Sequence, residues 1–174
     1  MLKKPTKCLR MLDKIDLTKI LFLDIETVPE EKHFGELSPY RKELWEEKSA
    51  YQRGDEESPE AFYGWAGIWA EFAIIVCISV GYFVAQPKER NFRIKTFFGE
   101  EKQLLIEFKE LLDNHFNLRK HVLCAHNGKE FDFPYIARRM IIHSVDLPKS
   151  LNLFGKKPWE VPHIDTMDLC RYAI

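Results

Sequence analysis

Short apolar runs along the chain predict four β-strands. The first run, KILFLDIET at residues 19–27, is bounded by polar residues and carries two carboxylates near its end, which is typical of a buried central strand apart from those charges. Residues 74–83 and 92–98 are rich in β-branched and aromatic side chains and flank a polar turn, so we expect a hairpin there. Val122–Ala125 predicts a fourth, shorter strand.

Two later segments show the spacing of amphipathic helices. In residues 100–115 one apolar stripe is formed by Leu104, Leu105, Phe108, Leu111 and Leu112. Residues 131–142 predict a second helix, with Pro134 in its first turn, where proline is tolerated. Residues 163–174 predict one more strand or helix. This order of elements implies an α/β fold whose mixed sheet combines an antiparallel hairpin with parallel strands, the first and fourth being neighbours.

Residues 28–72, between the first strand and the hairpin, are polar and helix-like, and we interpret them as a helical insertion. Ser38 and Ser58 each precede a proline, which places a capping residue before proline at the first helical position. Five aromatic side chains are expected to pack inside the insertion: Trp45, Phe62, Tyr63, Trp65 and Trp69. An aromatic surface on which bases stack is the alternative.

The composition indicates one globular domain over residues 1–174, with an N-terminal extension at residues 1–18. With 45% hydrophobic and 30% charged residues, the chain is neither disordered nor fibrous. Its net charge of -1 provides no global positive field for nucleic acid or a membrane, so a polyanion must be held by a local patch or a bound metal. We expect no signal peptide, no membrane span and, from four widely spaced cysteines, a reduced cytoplasmic protein.

Asp24 and Glu26 carry the first candidate chemistry. Two residues apart on a strand, they emerge on the same face, at the end of the sheet where α/β proteins bind their ligands. Two neighbouring carboxylates repel each other unless a cation neutralises them, and oxygen ligands favour Mg²⁺ or Mn²⁺ over zinc. The alternative is that the strand frays at Asp24 and both groups are solvated, with Glu26 as a cap.

A second element follows the fourth strand. The segment NGKEFD at residues 127–132 places Asp132 at the start of the next helix, from which it could reach Asp24 and Glu26 if the first and fourth strands are neighbours. Three carboxylates would then converge. The alternatives are a plain helix cap for Asp132 and an ordinary left-handed turn for Asn127-Gly128.

Together, LFLDIET and, about a hundred residues later, HNGKEFDFPYI resemble the first two motifs of the DEDD superfamily of 3′-to-5′ exonucleases, which have a ribonuclease H-like fold. The N-x-x-x-F-D spacing is most similar to the proofreading domain of family-B DNA polymerases and to their small stand-alone bacterial relatives. The resemblance extends from Lys19 to about Leu169.

The resemblance implies a role for each matching residue. It makes Asp24, Glu26 and Asp132 the catalytic, metal-binding carboxylates of a site for two Mg²⁺ or Mn²⁺ ions. It places Thr27, Asn127 and Phe131 along the path of the substrate. The implied activity is hydrolysis of single-stranded DNA, with RNA as an alternative, to nucleoside 5′-monophosphates, in proofreading or repair.

One part of the family pattern is absent. The third motif carries a fourth Asp and, four residues earlier, a Tyr or His on a last helix. The acidic residues after Asp132 are Asp146, Glu160, Asp165 and Asp168, and we expect none to lie in such a helix. The sequence is therefore interpreted as a C-terminally truncated exonuclease domain that lacks its last helix, with a partial metal site and reduced or no turnover.

Other interpretations stay open. The same fold could bind single-stranded nucleic acid or a nucleotide without cleaving it, using Phe131 and the aromatic insertion for stacking. An unrelated phosphohydrolase with Asp24 as nucleophile is a third alternative. A local basic patch is expected from Lys129, Arg138 and Arg139, which could hold backbone phosphates.

Overall fold

A mixed β-sheet forms the centre of the fold. The computed structural model describes residues 15–54, 56–85, 90–117 and 120–172. In this part of the chain the sheet has five strands, β1 (Ile20–Pro29), β2 (Ala73–Ala85), β3 (Arg90–Phe98), β4 (Val122–Ala125) and β5 (Ile164–Asp165). Their order is β3-β2-β1-β4-β5. The pairs β1–β2 and β2–β3 are antiparallel, and β4 is parallel to both β1 and β5.

Strand β1 lies at the middle of the sheet, as its apolar sequence predicts. Leu21, Leu23 and Ile25 are buried in the core, whereas Asp24 and Glu26, which alternate with them, are exposed. Pairing of β1 with β2 shifts register between Glu26 and Thr27. The parallel pairing of β1 with β4 confirms that the first and fourth strands are neighbours.

In the described part of the chain, three α-helices follow β3. They are α3 (Glu101–His115), α4 (Asp132–Ile142) and α5 (Thr166–Tyr172). Helices α3 and α4 pack on the face of the sheet that carries Leu21 and Leu23, and the apolar stripe of α3 contributes Leu104, Leu105 and Phe108 to that core. On the other face of the hairpin the β3 side chains Phe92, Ile94 and Phe98 are exposed.

The insertion after β1 has a small core of its own. It contains α1 (Pro39–Ser49), α2 (Pro59–Phe62) and the 3₁₀ helices Phe34–Glu36 and Tyr63–Ile68. The Ser38 and Ser58 side chains accept backbone N–H groups at the starts of α1 and α2, as predicted. Buried aromatic residues of this core are Trp45, Phe62, Tyr63, Trp69 and Phe72. Trp65 is 59% exposed, so the prediction that it packs inside is wrong.

The segment after Pro162 forms both a strand and a helix, where one or the other was expected. Asp168 lies within helix α5. Two further 3₁₀ turns, Leu17–Lys19 and Pro158–Glu160, complete the described elements. Most of the predicted N-terminal extension lies outside the described residues. Among the described helices, none has both the length and the apolar character needed to cross a membrane.

Candidate active site

Strand β1 presents two carboxylates from its second half. Asp24 lies opposite Ser79 of β2 and Glu26 lies opposite Cys77, so the two acidic side chains share one face of the sheet. Both are exposed, because the alternate positions of the strand fill the core. The predicted pairing of Asp24 with Glu26 on one face is therefore observed, and the strand does not fray at Asp24.

Asp132 approaches β1 from the start of α4 and is 2% exposed. Its Oδ1 atom is buried and has no hydrogen-bond partner among the residues that the structure describes. Burial raises the pKa of Asp132 to about 6, and the negative charges of Asp24 and Asp165 add to that rise. Backbone N–H groups, including that of Ile25 in β1, offset only part of the effect. The Asp24 carboxylate is thus close enough to Asp132 for the two negative charges to repel each other.

A buried carboxylate oxygen without a donor, next to a second carboxylate, is a costly arrangement in the absence of a cation. Oxygen donors of this kind are the ligands that Mg²⁺ and Mn²⁺ prefer. The residues present therefore fit a hard divalent cation. Across the described ranges, no set of three acidic, His or Cys side chains is already close enough together to hold an ion.

The turn between β4 and α4 is held by Asp165 at the end of β5. The backbone N–H groups of Asn127 and Lys129 donate to the two oxygens of the Asp165 carboxylate, at 2.9 and 3.1 Å, and Met167 N–H adds a third bond of 2.9 Å. Burial alone would raise the pKa of Asp165, but these donors outweigh it and hold the pKa below its usual range. Asp165 therefore acts as an anchor of the turn.

The shape of this turn depends on two residues. Asn127 has a φ of 60°, in the left-handed region that asparagine tolerates. At Gly128 an added Cβ would lie 2.5 Å from the Ala125 Cβ and 2.9 Å from the Phe133 ring. The left-handed turn, which was the alternative for Asn127-Gly128, is present at Asn127, and Gly128 is required by the close approach of its neighbours.

The insertion is tied to the site through one carbonyl. The hydroxyl groups of Thr27 and Tyr135 both donate to the Gly67 carbonyl oxygen, at 2.7 and 2.9 Å. Thr27 follows Glu26 in β1, and the Tyr135 ring packs against the ring of Phe131 at a centroid distance of 5.2 Å. This contact joins β1, the insertion and α4 beside the carboxylates.

The predicted basic patch is only partly present. Arg138 is exposed, but Arg139 is buried and forms an ion pair with Glu101, and its guanidinium also donates to the Ala70 carbonyl at 2.9 Å. Arg139 therefore joins α4 to α3 and cannot hold a phosphate, which corrects the prediction. The Lys129 Nζ atom lies 3.1 Å from the Asp168 Oδ2 atom of α5, so its charge is paired.

Sequence reasoning missed three of these features: the clamp by Asp165, the shared Gly67 carbonyl and the buried Glu101–Arg139 pair. The first had a signal, because an Asp directly before a helical segment is a frequent N-terminal cap. The other two join residues 38 to 68 positions apart and leave no local pattern.

The fold and these carboxylates define the class of protein. A five-stranded mixed sheet with flanking helices carries acidic side chains on its central strand and at the start of the helix after the neighbouring strand. A family model described as RNase_H superfamily matches residues 66–174, which is more than half of the chain. The chain therefore belongs to the RNase H superfamily, and its fold is ribonuclease H-like, as expected.

Members of this superfamily are generally nucleases, so the family indicates a nuclease or another nucleic-acid-related function. The matched range includes Asn127, Phe131 and Asp132, whereas Asp24 and Glu26 precede it. No curated protein sequence matches the chain.

Proposed function

We propose that this protein is a divalent-metal-dependent 3′-to-5′ exonuclease that degrades single-stranded DNA and releases nucleoside 5′-monophosphates. The observation that carries the proposal is the buried, unpartnered Oδ1 atom of Asp132 beside Asp24 in an RNase H superfamily fold. A surface helix cap would have a hydrogen-bond partner or be solvated. An oxygen held dry without a donor is instead suited to a cation.

The three carboxylates would divide the work of the site. Asp24, Glu26 and Asp132 would hold Mg²⁺ or Mn²⁺, whose chemistry is to acidify a water molecule and to stabilise the charge that develops on the scissile phosphate and on the departing 3′ oxygen. Asp132 is fixed by the first turn of α4, whereas Asp24 and Glu26 are exposed and free to adjust. We expect Asp132 to position the ion and the two β1 carboxylates to complete its coordination.

The substrate strand would lie across the neighbouring residues. Phe131 is half-buried against Tyr135, which leaves part of its ring available to stack on a base. Asp165 fixes the backbone of Asn127 in the turn before α4, and the Asn127 side chain would contact the sugar or phosphate. Thr27 would contribute mainly through its backbone and methyl group, since its hydroxyl donates to Gly67.

A time course on a 5′-labelled single-stranded oligonucleotide tests this proposal, with Mn²⁺, Mg²⁺ or EDTA present. We expect a ladder that shortens from the 3′ end only with metal, and that disappears in Asp24→Ala and Asp132→Ala. The matched control is Asp146→Ala, which removes an exposed carboxylate from the loop after α4. Cleavage in EDTA, or equal cleavage by Asp24→Ala and wild type, would overturn the proposal.

A binding measurement separates catalysis from recognition. Titration of Mn²⁺ together with thymidine monophosphate should show binding to the wild type and to Asp146→Ala, and much weaker binding to Asp24→Ala. If the oligonucleotide binds without cleavage and its affinity does not depend on metal or on Asp24, the protein is a binding module of the same fold.

A further inference from the structure

A cavity lies on the outer side of α4, apart from the carboxylates. It has a volume of about 450 Å³ and is formed between α4 and the loop at residues 147–161. Phe133, Ala137 and Ile141 come from one face of the helix, while Leu147, Leu151 and Leu153 come from the loop. This volume lies in the range of cavities that bind small molecules. None of the residues that form the cavity belongs to the three proposed metal-binding carboxylates.

Basic side chains outnumber acidic ones in the lining of this apolar cavity. Lys129, Arg138 and Lys156 line it, against the single acidic residue Glu130. Lys129 is paired with Asp168, so the balance of positive charge rests on Arg138, which is exposed on α4, and on Lys156 in the loop. In a chain with a net charge of -1, this local excess of positive charge favours an anionic ligand.

An aromatic ring stands at the edge of the same cavity. Phe154 lines it and is 98% exposed. The next residue, Gly155, has a φ of 74°, so the backbone turns there and brings Lys156 to the same cavity. A fully exposed phenylalanine gains nothing from the protein core, but its face is available to stack on a nucleobase.

The cavity begins at the turn that leads into the candidate active site. Lys129 and Glu130 line it, and Asp132 begins α4 two residues later. Asp165 fixes this turn through the backbone of Asn127 and Lys129. The lining of the cavity thus includes the two residues that directly precede Phe131 and Asp132, so a nucleic-acid strand that leaves the carboxylates over Asn127 and Phe131 would pass next to it.

We propose that this cavity is a second subsite for single-stranded nucleic acid, which takes a base against Phe154 and the apolar floor and the adjoining phosphates at Arg138 and Lys156. The inference rests on the proposed function, since it names where the substrate lies upstream of the hydrolysed end. A neutral apolar ligand would leave the cations unpaired, and an inorganic phosphate alone would leave the apolar floor empty. A nucleotide unit satisfies both parts of the cavity.

Equilibrium binding without metal tests the subsite apart from hydrolysis. Fluorescence anisotropy in EDTA would compare labelled oligothymidylate of about 12 nucleotides, within the site sizes of single-strand binders, with a dinucleotide. We expect Arg138→Glu and Phe154→Ala each to weaken binding of the long strand on the order of tenfold, and to leave dinucleotide binding unchanged. Arg93→Glu is the matched control, because Arg93 is exposed on β3 at the opposite edge of the sheet.

Salt dependence distinguishes phosphate binding from a general loss of structure. For Arg138→Glu, the slope of log affinity against log salt should fall by about 0.7 for each phosphate that the variant no longer neutralises, whereas Phe154→Ala should leave the slope unchanged. Wild-type affinity for the long strand in both variants would overturn the subsite. An equal loss of dinucleotide binding would also overturn it. So would binding of an acidic peptide that depends on Arg138, if binding of the oligonucleotide does not depend on Arg138. Absence of metal-dependent cleavage by the wild type would instead count against the exonuclease alone.

Discussion

The carboxylate of Asp165 accepts a hydrogen bond of 2.9 Å from the backbone N–H of Asn127, which lies in the turn after the neighbouring strand. Strand β5 is only two residues long, yet through this bond it fixes the left-handed backbone of Asn127. Lys129 N–H donates to the other oxygen at 3.1 Å. The turn next to the proposed site therefore depends on an acidic residue outside it, at the end of β5.

Replacing Asp165 with Ala should destabilise the fold and the turn together. Three backbone N–H groups would lose a charged acceptor, and we expect a loss of at least about 2 kcal/mol in the free energy of unfolding. Urea denaturation at neutral pH measures the change. Asp165→Asn, which keeps one carbonyl oxygen, should lose less. Equal stability of Asp165→Ala and wild type would show that the clamp is dispensable.

The same residue predicts a response to acid. Because its pKa is lowered in the folded protein, Asp165 stabilises the fold above the pKa of about 4 of an unfolded aspartate. That contribution is lost as the pH falls through the lower, folded-state pKa. As the pH falls from 5 to about 2, the free energy of unfolding should decrease less steeply for Asp165→Ala than for wild type.

Asp132 should show the opposite behaviour. Its folded-state pKa of about 6 lies above the unfolded value of 3.8, so the folded protein binds the proton more tightly. Without metal, the contribution of Asp132 to stability should therefore be greatest below about pH 4 and decrease as the pH rises through about 6. Asp132→Asn cannot ionise and should lack this decrease, which amounts to at most about 3 kcal/mol for a shift of about two pKa units.

Metal should reverse the order of stability of the wild type and Asp132→Asn. A divalent cation that binds only the folded wild type adds stability as its concentration rises above its dissociation constant. Thermal denaturation at neutral pH with and without Mn²⁺ should show Asp132→Asn more stable in EDTA and less responsive to Mn²⁺. Equal Mn²⁺ stabilisation of both proteins would contradict a role of Asp132 in metal binding.

Another prediction concerns the buried pair that joins α3 to α4. Glu101 accepts hydrogen bonds from Arg139 and, at 2.7 Å, from the backbone N–H of Ile75 in β2. Burial opposes the ionised form, but the pairing with Arg139 prevails and keeps the pKa of Glu101 below its usual range. Removing one partner, as in Glu101→Leu or Arg139→Met, leaves the other charge buried and should cost about 3–5 kcal/mol.

The double variant Glu101→Leu/Arg139→Met should be more stable than the sum of the two single changes predicts. Both charges are then absent, and the groups that lose partners are the Ile75 N–H, the Ala70 carbonyl and the His143 ring, whose Nε2 atom lies 2.6 Å from Glu101 Oε2. A double-mutant cycle by urea denaturation should give a coupling of more than about 1 kcal/mol. Strict additivity would mean that the ion pair contributes nothing beyond its separate contacts.

Most strands and helices were predictable because their signals are local. The alternation of Leu21, Leu23 and Ile25 with acidic residues determines which face of β1 is buried, and proline after Ser38 marks the start of α1. The adjacency of β1 and β4 followed from the general rules for crossover connections. With these features known, the approach of Asp132 to Asp24 could be inferred before the structure.

Other properties depend on contacts that the local sequence does not encode. Arg138 and Arg139 are neighbours of the same type, yet only Arg139 lies on the face of α4 that meets Glu101. The sequence predicts the same packing role for Trp65 and Trp69, but only Trp69 is buried in the small core of the insertion. Which of two adjacent residues is buried is set by the packing partner, and the partner here lies elsewhere in the chain.

The last prediction tests how the insertion supports the site. Thr27 and Tyr135 donate to the same Gly67 carbonyl oxygen, so losing one hydroxyl leaves that oxygen with the other donor. Thr27→Val and Tyr135→Phe should each cost about 1 kcal/mol, and the double variant should cost more than their sum because the carbonyl then loses both. Urea denaturation measures stability, and the KM for the oligonucleotide should rise in the double variant, since Glu26 precedes the released anchor.

Thr27→Ser keeps the hydroxyl and is the matched control. If Thr27→Ser and Thr27→Val are equally impaired, the methyl group and not the hydrogen bond to Gly67 is the feature of Thr27 that matters.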